Sequence, residues 1–325
     1  VKLQVPFIQL PLQFDATELA REVLAIDESW WRPHPQGYDG NSMLPLVSVD
    51  GDPGNETFSG EMRATTYLQS CPYLTQVLAC LGATIGRTRL MRLSGHAEVK
   101  RHVDQGYYWI ERVRVHVPIV TQPTVRFECG DAAVNMAAGE CWIFDTWRQH
   151  RVVNDATQAR IHLVADTVGG RDFWKLVGNG LPQGMPRGGW NPVRIASVGN
   201  EIAPFPLETR NTPVVMTPWE LDTRLGFLFS EAVQDAQLMH ARKASSELSV
   251  TWHGLWANFG DAPAGWPHFR EAMDRFIADV KPNTQNIALR NGIRWYNAMM
   301  AAVGAMAVQQ SMPAGQMPRE SADNG

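Results

Sequence analysis

Hydrophobic positions change period twice along the chain, and the changes divide it. Leu19, Val23 and Ile26 recur at helical spacing behind Asp15, and Glu18 completes a capping box, so an amphipathic helix is predicted there. Ser70, Pro72 and Gly82 bracket a second helix, with proline in its first turn and glycine past its last. Residues 30–60 are rich in Gly, Pro, Asp and Asn and read as loops around one short strand at Leu44-Pro45-Leu46-Val47. Over residues 89–166 the period becomes two: β-branched and aromatic runs alternate with turn signals at Gly95, Gly130-Asp131 and Ala138-Gly139. Regular short strands without intervening helices predict a mainly β fold with flanking helices, a jelly roll of the cupin-like kind that encloses a metal pocket.

The helical period returns after a stretch that includes Pro182, Gly184, Pro186, Gly188, Gly189, Pro192, Pro204 and Pro206 and reads as an extended connection. Thr217-Pro218 starts a helix predicted to reach about Ser245. Phe269, Met273, Phe276 and Val280 mark another, and a third is predicted over residues 285–309. The expected organisation is an N-terminal helix-and-jelly-roll domain over 1–178, a Pro/Gly-rich linker over 179–217, a helical region over 218–310 and a disordered tail over 311–325.

Composition removes several classes of function. A formal net charge of −4 leaves no basic footprint for nucleic acid. Cys71, Cys80, Cys129 and Cys141 form no C-x-x-C pair, so buried reduced thiols are expected rather than a zinc cage or a disulfide framework. The longest apolar run, residues 298–308, falls short of the ~20 residues that span a bilayer, and predicts a buried helix. The N-terminal residues lack the basic-then-apolar pattern of a secretory signal, so a cytoplasmic protein without membrane attachment is expected.

The candidate chemistry lies in the two-period stretch. His102 and Asp104, at i and i+2 of a strand, can point into one cavity, and His150 follows further along the chain. Two histidines and a carboxylate without a fourth ligand describe the facial triad that holds non-haem Fe(II) and leaves positions open for a co-substrate and O2. Arg160 beyond them offers a planar fork able to hold the far carboxylate of 2-oxoglutarate. The run Arg112-Val113-Arg114-Val115-His116-Val117 alternates without a break, which puts Arg112, Arg114 and His116 on one face. We read that face as interior, where its donors suit carboxylates; the alternative is a half-solvated edge strand. His162 shares a face with Arg160 and reads as a hydrogen-bonded neighbour of the pocket rather than a ligand. Trp142, Phe144 and Trp147 are candidates to wall the site, and Tyr107, Tyr108 and Trp109 to cross its mouth on a loop.

The ordered series Met91-Arg92-Leu93, Gly95, His102-Val103-Asp104, Arg112 to His116, Gly139-Glu140-Cys141-Trp142-Ile143-Phe144-Asp145, His150, Asn154 and Arg160 to Asp166 resembles the aspartyl/asparaginyl β-hydroxylase family. These are Fe(II)/2-oxoglutarate-dependent dioxygenases on a double-stranded β-helix, and bacterial proline 3-hydroxylases look like relatives. The resemblance implies that His102, Asp104 and His150 bind iron, that Arg160 pairs with the C5 carboxylate of 2-oxoglutarate, and that Arg114 and His116 contact its other end. It gives Arg112 to a substrate carboxylate. It also implies oxidative decarboxylation of 2-oxoglutarate to succinate and CO2 with hydroxylation of a second substrate. That substrate is expected to be an amino-acid-like carboxylate with an Asp/Asn-type β-carbon, small and free, carrier-bound or within a peptide. The animal protein-modifying members have a non-ligating residue at the position of Asp104, whereas this chain keeps the full triad, like the bacterial amino-acid hydroxylases. Desaturation or ring closure at the same iron, and a non-catalytic cupin-like metal sensor, are the alternatives; only an enzyme explains Arg160. Oligomeric state is not set by the sequence.

Overall fold

A computed structural model describes residues 1–35 and 37–309; the expected tail over 311–325 lies outside them. Its strands are β1 (Phe7–Phe14), β2 (Arg32–Pro33), β3 (Asn41–Val49), β4 (Met62–Ala64), β5 (Thr84–Leu93), β6 (Glu98–His102), β7 (Val113–Val120), β8 (Val125–Cys129), β9 (Ala132–Val134), β10 (Glu140–Phe144), β11 (His150–Asn154), β12 (Arg160–Gly169), β13 (Leu181–Pro182) and β14 (Val193–Ile195). They form two sheets. The larger runs β13-β1-β10-β7-β12-β5-β3-β2, with β14 beside β1 and β4 beside β3; the smaller runs β6-β11-β8-β9. Almost all pairs are antiparallel, and the larger sheet packs on the smaller through Phe7, Leu93, Trp142 and Phe144 from one and Val99, Phe127, Cys129 and Val152 from the other. This is the jelly roll predicted from the two-residue period and the double-stranded β-helix that the resemblance implies. Each such side chain stabilises the sandwich by roughly 1.5–3 kcal/mol of apolar burial.

The early helices follow their sequence signals. Helix α1 (Ala16–Leu24) is capped by Asp15, whose side chain accepts from the Thr17 and Glu18 amides, and buries Leu19 and Val23. Helix α2 (Pro72–Cys80) begins on its proline, and Gly82 beyond it has φ +59°, a conformation that suits glycine. All four cysteines are unpaired thiols, three of them buried.

The Pro/Gly-rich stretch departs from a free linker. Strand β13 pairs antiparallel and β14 parallel with β1, so edge pairing of β1 orders a segment whose own sequence specifies only bends. Among the described residues, contacts divide the chain into one unit over residues 1–104 and 111–211 and a second made of residues 105–110 and 212–309.

The second unit holds most of α3 (Tyr107–Glu111), whereas α4 (Arg171–Gly178) lies in the first; the second also holds α5 (Pro218–Glu231), α6 (Leu238–Phe259), α7 (Trp266–Thr284) and α8 (Trp295–Met299). Thr217 caps α5 with Pro218 behind it. The helix stops at Glu231 instead of continuing to Ser245, because the Val233 amide donates to Ala288 O (2.9 Å) and the Arg290 amide to Glu231 O (2.9 Å). That pairing also removes the first part of the helix predicted over 285–309. Asn291-Gly292, with Gly292 at φ +86°, makes a turn closed by Leu289 N–H to Ile293 O (2.7 Å), and helix resumes only at Trp295. Trp252, fully buried against Phe269 with its indole N–H on Met216 O (2.9 Å), centres this unit's core. Among the described residues no helix is long and apolar enough to cross a membrane.

Candidate active site

His102 ends β6 and lies directly opposite His150, the first residue of β11, so one cross-strand pair brings the two imidazoles to a ring separation of 4.1 Å. Asp104 lies just beyond β6, where its amide donates to Thr146 O (3.1 Å) and anchors the turn. One ligand atom from each of His102, Asp104 and His150 lies within 4.8 Å of the others, the one such group of three among the described residues. The His102 Nε2 to Asp104 Oδ1 distance is 3.8 Å, and His150 Nε2 to Asp104 Oδ2 is 4.0 Å.

Their protons are placed by the backbone. His102 Nδ1 meets Lys100 O at 2.6 Å and His150 Nδ1 meets Arg148 O at 2.9 Å. A carbonyl only accepts, so both Nδ1 atoms donate, and the Nε2 lone pairs turn toward the shared point. His102 Nε2, His150 Nε2 and Asp104 Oδ2 are buried without hydrogen-bond partners. Burial, and then the neighbouring His102, pushes His150 down to about 3, and burial lowers His102, so both are neutral near pH 7. Burial alone would raise Asp104, but Arg114, His150 and His102 outweigh it and hold the carboxyl below its ordinary value. Two neutral imidazoles and one carboxylate, with donor atoms otherwise unused, fit a divalent iron in a three-ligand face.

The larger sheet supplies the cations. Alternation along β12 puts Arg160, His162, Val164 and Asp166 on the inner face, and Val164 stands beside Met91 and Met43 there. Asn154 sets the start of this strand: its amide nitrogen is shared among Leu93 O (3.1 Å), Ser94 O (3.0 Å) and Gln158 O (2.8 Å), tying the hairpin before Arg160 to the end of β5. Gly95 is required in that tie, because a Cβ there would lie 2.2 Å from Thr157 O. Arg160 is 1 % exposed, its Nε is unpartnered, and no acid among the described residues pairs with it. Burial lowers it to about 9, so it stays charged at neutral pH.

Across β12 from Val164 and Asp166 stand His116 and Arg114 of β7. Both are buried, so the alternating face is interior as expected. Arg114 links two acids, donating from Nε to Asp166 Oδ1 (3.1 Å) and approaching Asp104 Oδ2 with Nη1 (3.3 Å). His116 lies between Phe127 (ring centroids 5.2 Å) and Phe144 (5.4 Å), and Phe144 also stands 4.9 Å from His150. Phe144 thus walls the site, together with Phe127, which sequence reasoning missed although Val125-Arg126-Phe127-Glu128-Cys129 alternates strictly. Trp142 is buried in the sandwich core with its indole N–H on Glu140, and Trp147 is buried as well.

Arg112, expected to meet a substrate carboxylate, is held instead by Glu208. Its Nε and Nη2 contact both carboxylate oxygens at 3.0–3.2 Å, with the two side chains 4 % and 2 % exposed. Arg112 sits one residue before β7, and its partner comes from the stretch read as linker, so no local pattern could reveal the pair. Replacing Arg112 by alanine leaves a buried carboxylate without its cation, and the expected loss is about 3–5 kcal/mol of stability in urea unfolding. An unchanged midpoint with altered substrate affinity would instead restore Arg112 to a binding role. Tyr107, Tyr108 and Trp109 form part of α3 rather than a loop; within the second unit, Tyr107 donates to Glu220 (2.7 Å) and stacks under Arg224 (4.0 Å).

The sequence also left Asp166, Arg87, Arg89 and His34 without roles. Asp166 extends the alternation from Arg160, and Arg89 shares the inward face of β5 with Met91. Burial, followed by the charges of Arg87 and Arg114, pushes the Arg89 guanidinium well down. His34 is lowered to about 3 by burial and then by Arg89 and Arg87.

A family comparison joins these residues to one chemistry. The aspartyl/asparaginyl β-hydroxylase model matches residues 50–169, a span that contains His102, Asp104, Arg114, His116, His150 and Arg160. The chain is therefore a 2-oxoglutarate-dependent dioxygenase of the hydroxylase type, and its His-Asp-His donors fit Fe(II), 2-oxoglutarate and O2. Solved structures similar to it include a Pseudomonas putida prolyl-4-hydroxylase (17 % identity, 50 % of this chain and 92 % of that one, TM-score 0.35). A 2-oxoglutarate-Fe(II) oxygenase family protein from Burkholderia pseudomallei is 14 % identical over 49 % of this chain and 82 % of its own, with TM-score 0.35. A Trichoplax adhaerens prolyl hydroxylase, solved with a hypoxia inducible factor peptide fragment, is 15 % identical over 49 % and 80 %, with TM-score 0.32. A search of curated proteins finds no match.

Proposed function

We propose that His102, Asp104 and His150 hold Fe(II), that Arg160 takes the C5 carboxylate of 2-oxoglutarate, and that the enzyme hydroxylates an amino-acid-like carboxylate substrate. The observation that carries this reading is Arg160: a buried guanidinium without an acid among the described residues, on the inner face of the same sandwich as three unused donor atoms. A lone buried cation costs several kcal/mol unless an anion joins it, so the site is built for a ligand carboxylate.

Bound Fe(II) would activate O2, the oxidant that couples decarboxylation of 2-oxoglutarate to oxidation of the substrate. The chain's own residues do the rest. Lys100 and Arg148 carbonyls keep both histidines in the tautomer that binds metal. Arg114 holds Asp104 ionised and directed, and with His116 it is assigned to the inner end of 2-oxoglutarate. Phe127 and Phe144 keep water from that face. Arg112 is left out of the binding set because Glu208 holds it.

The test is product mass. Free, carrier-bound and peptidyl aspartate- or asparagine-type substrates are incubated with Fe(II), 2-oxoglutarate and O2. A gain of one oxygen matched to succinate supports hydroxylation at that substrate. A loss of two hydrogens would replace it by desaturation or ring closure, and no turnover with any of them would favour a metal sensor.

A further inference from the structure

The hydrogen bond that Arg160 makes within the protein goes to an imidazole. Its Nη2 donates to His162 Nδ1 over 2.9 Å, and the two residues are 1 % and 2 % exposed. A guanidinium has no acceptor atom, so His162 Nδ1 presents its lone pair and the ring's single proton lies on Nε2. Burial first, and then the charges of Arg160 and His116, keep His162 well below its ordinary range and therefore neutral. The other side of the same nitrogen faces His116 Nδ1, 3.4 Å away, with the rings edge-on at 75°. A carboxylate in this place would hold Arg160 more strongly, but it would cancel the charge that a dicarboxylate needs. A neutral acceptor fixes the direction of the fork and leaves the charge whole.

We propose that His162 is a positioning residue that aims Arg160 at the far carboxylate of the co-substrate without neutralising it, an inference that rests on the reading of Arg160 given above. Alternation supplies the means: His162 lies two residues from Arg160 on the same inward face of β12, where the side chains are neighbours by construction. The His162 Nε2 is buried without a hydrogen-bond partner, so the ring's polar contacts to Arg160 and His116 are made through Nδ1.

Two measurements test it on the full chain. In the metal-free protein at neutral pH, 15N spectra of the imidazoles, assigned with His162→Gln, should show His162 as the neutral Nε2–H tautomer. An Nδ1–H tautomer or an imidazolium overturns the proposal without any variant having to fold. The second is 2-oxoglutarate affinity, measured by anaerobic calorimetry on Fe(II)-loaded protein beside steady-state KM and kcat. His162→Leu should weaken 2-oxoglutarate binding about 10-fold or more while kcat changes little, as for a lost hydrogen bond from a charged donor. His162→Gln, which keeps an acceptor, should restore most of that loss, and His162→Glu should bind 2-oxoglutarate at least as weakly as the leucine variant. Equal affinity in all three variants overturns the positioning role. Arg160→Met is run in parallel. If it raises the 2-oxoglutarate requirement and His162→Leu does not, only the positioning role has failed; if it raises nothing, the reading of Arg160 has failed and the proposal with it.

Discussion

Replacing His150 by alanine is expected to abolish iron retention and with it succinate formation from 2-oxoglutarate, by about 10³-fold or more. Loss of even an outer hydrogen-bond partner of a metal site costs about 10–100-fold, and His150 would be a direct ligand. Alanine loses the Nδ1–H bond to Arg148 O and the ring packing on Phe144, but the β11 ladder is made by backbone and stays intact. The metal-free variant should therefore fold, with a lower thermal midpoint than the parent from the cavity left behind, and Fe(II) should no longer stabilise it. Retained iron and retained turnover in a folded His150→Ala protein would remove His150 from the metal.

Arg160→Met is expected to raise the 2-oxoglutarate requirement by about 10²-fold or more, because a buried bidentate charge pair is worth roughly 3–5 kcal/mol to break. Iron retention should not change, since none of the three donor side chains contacts Arg160 in a hydrogen bond or ion pair. The same substitution should leave the ligand-free protein as stable as the parent or more so. Methionine fills much of the volume, and the desolvation that lowers Arg160 to about 9 disappears with the charge. Affinity and apo stability moving in opposite directions would be the signature of a charge kept for a ligand. A parallel fall in iron binding, or a large loss of apo stability, would make Arg160 a structural residue.

The two expectations differ in how far they could be seen in the chain. His102 and Asp104 are two residues apart, with Asp104 just past the end of β6. Arg160 stands in a strict alternating run, and a two-residue period decides which side chains share a face before any partner strand is known. The same holds for Arg114 and His116, and for the capped start of α1. Those features depend on neighbours within a few residues.

What only the tertiary structure decided depends on neighbours far along the chain. Arg112 has the same period as Arg114, yet it is ion-paired with Glu208, from a stretch whose sequence specifies only bends. Edge pairing with β1 orders residues 181–182 and 193–195, and backbone pairing of Val233 with Ala288 ends α5 and forestalls the helix expected after residue 285. In each case the deciding hydrogen bond or ion pair joins residues more than 50 positions apart, where local spacing carries no information. The sequence by itself determined the sandwich, the three donors and the arginine beyond them, because alternation is a local property of the backbone. The folded chain decided which of the aligned cations remain available to a ligand, because a buried charge is spent or kept according to the acid that tertiary packing brings beside it.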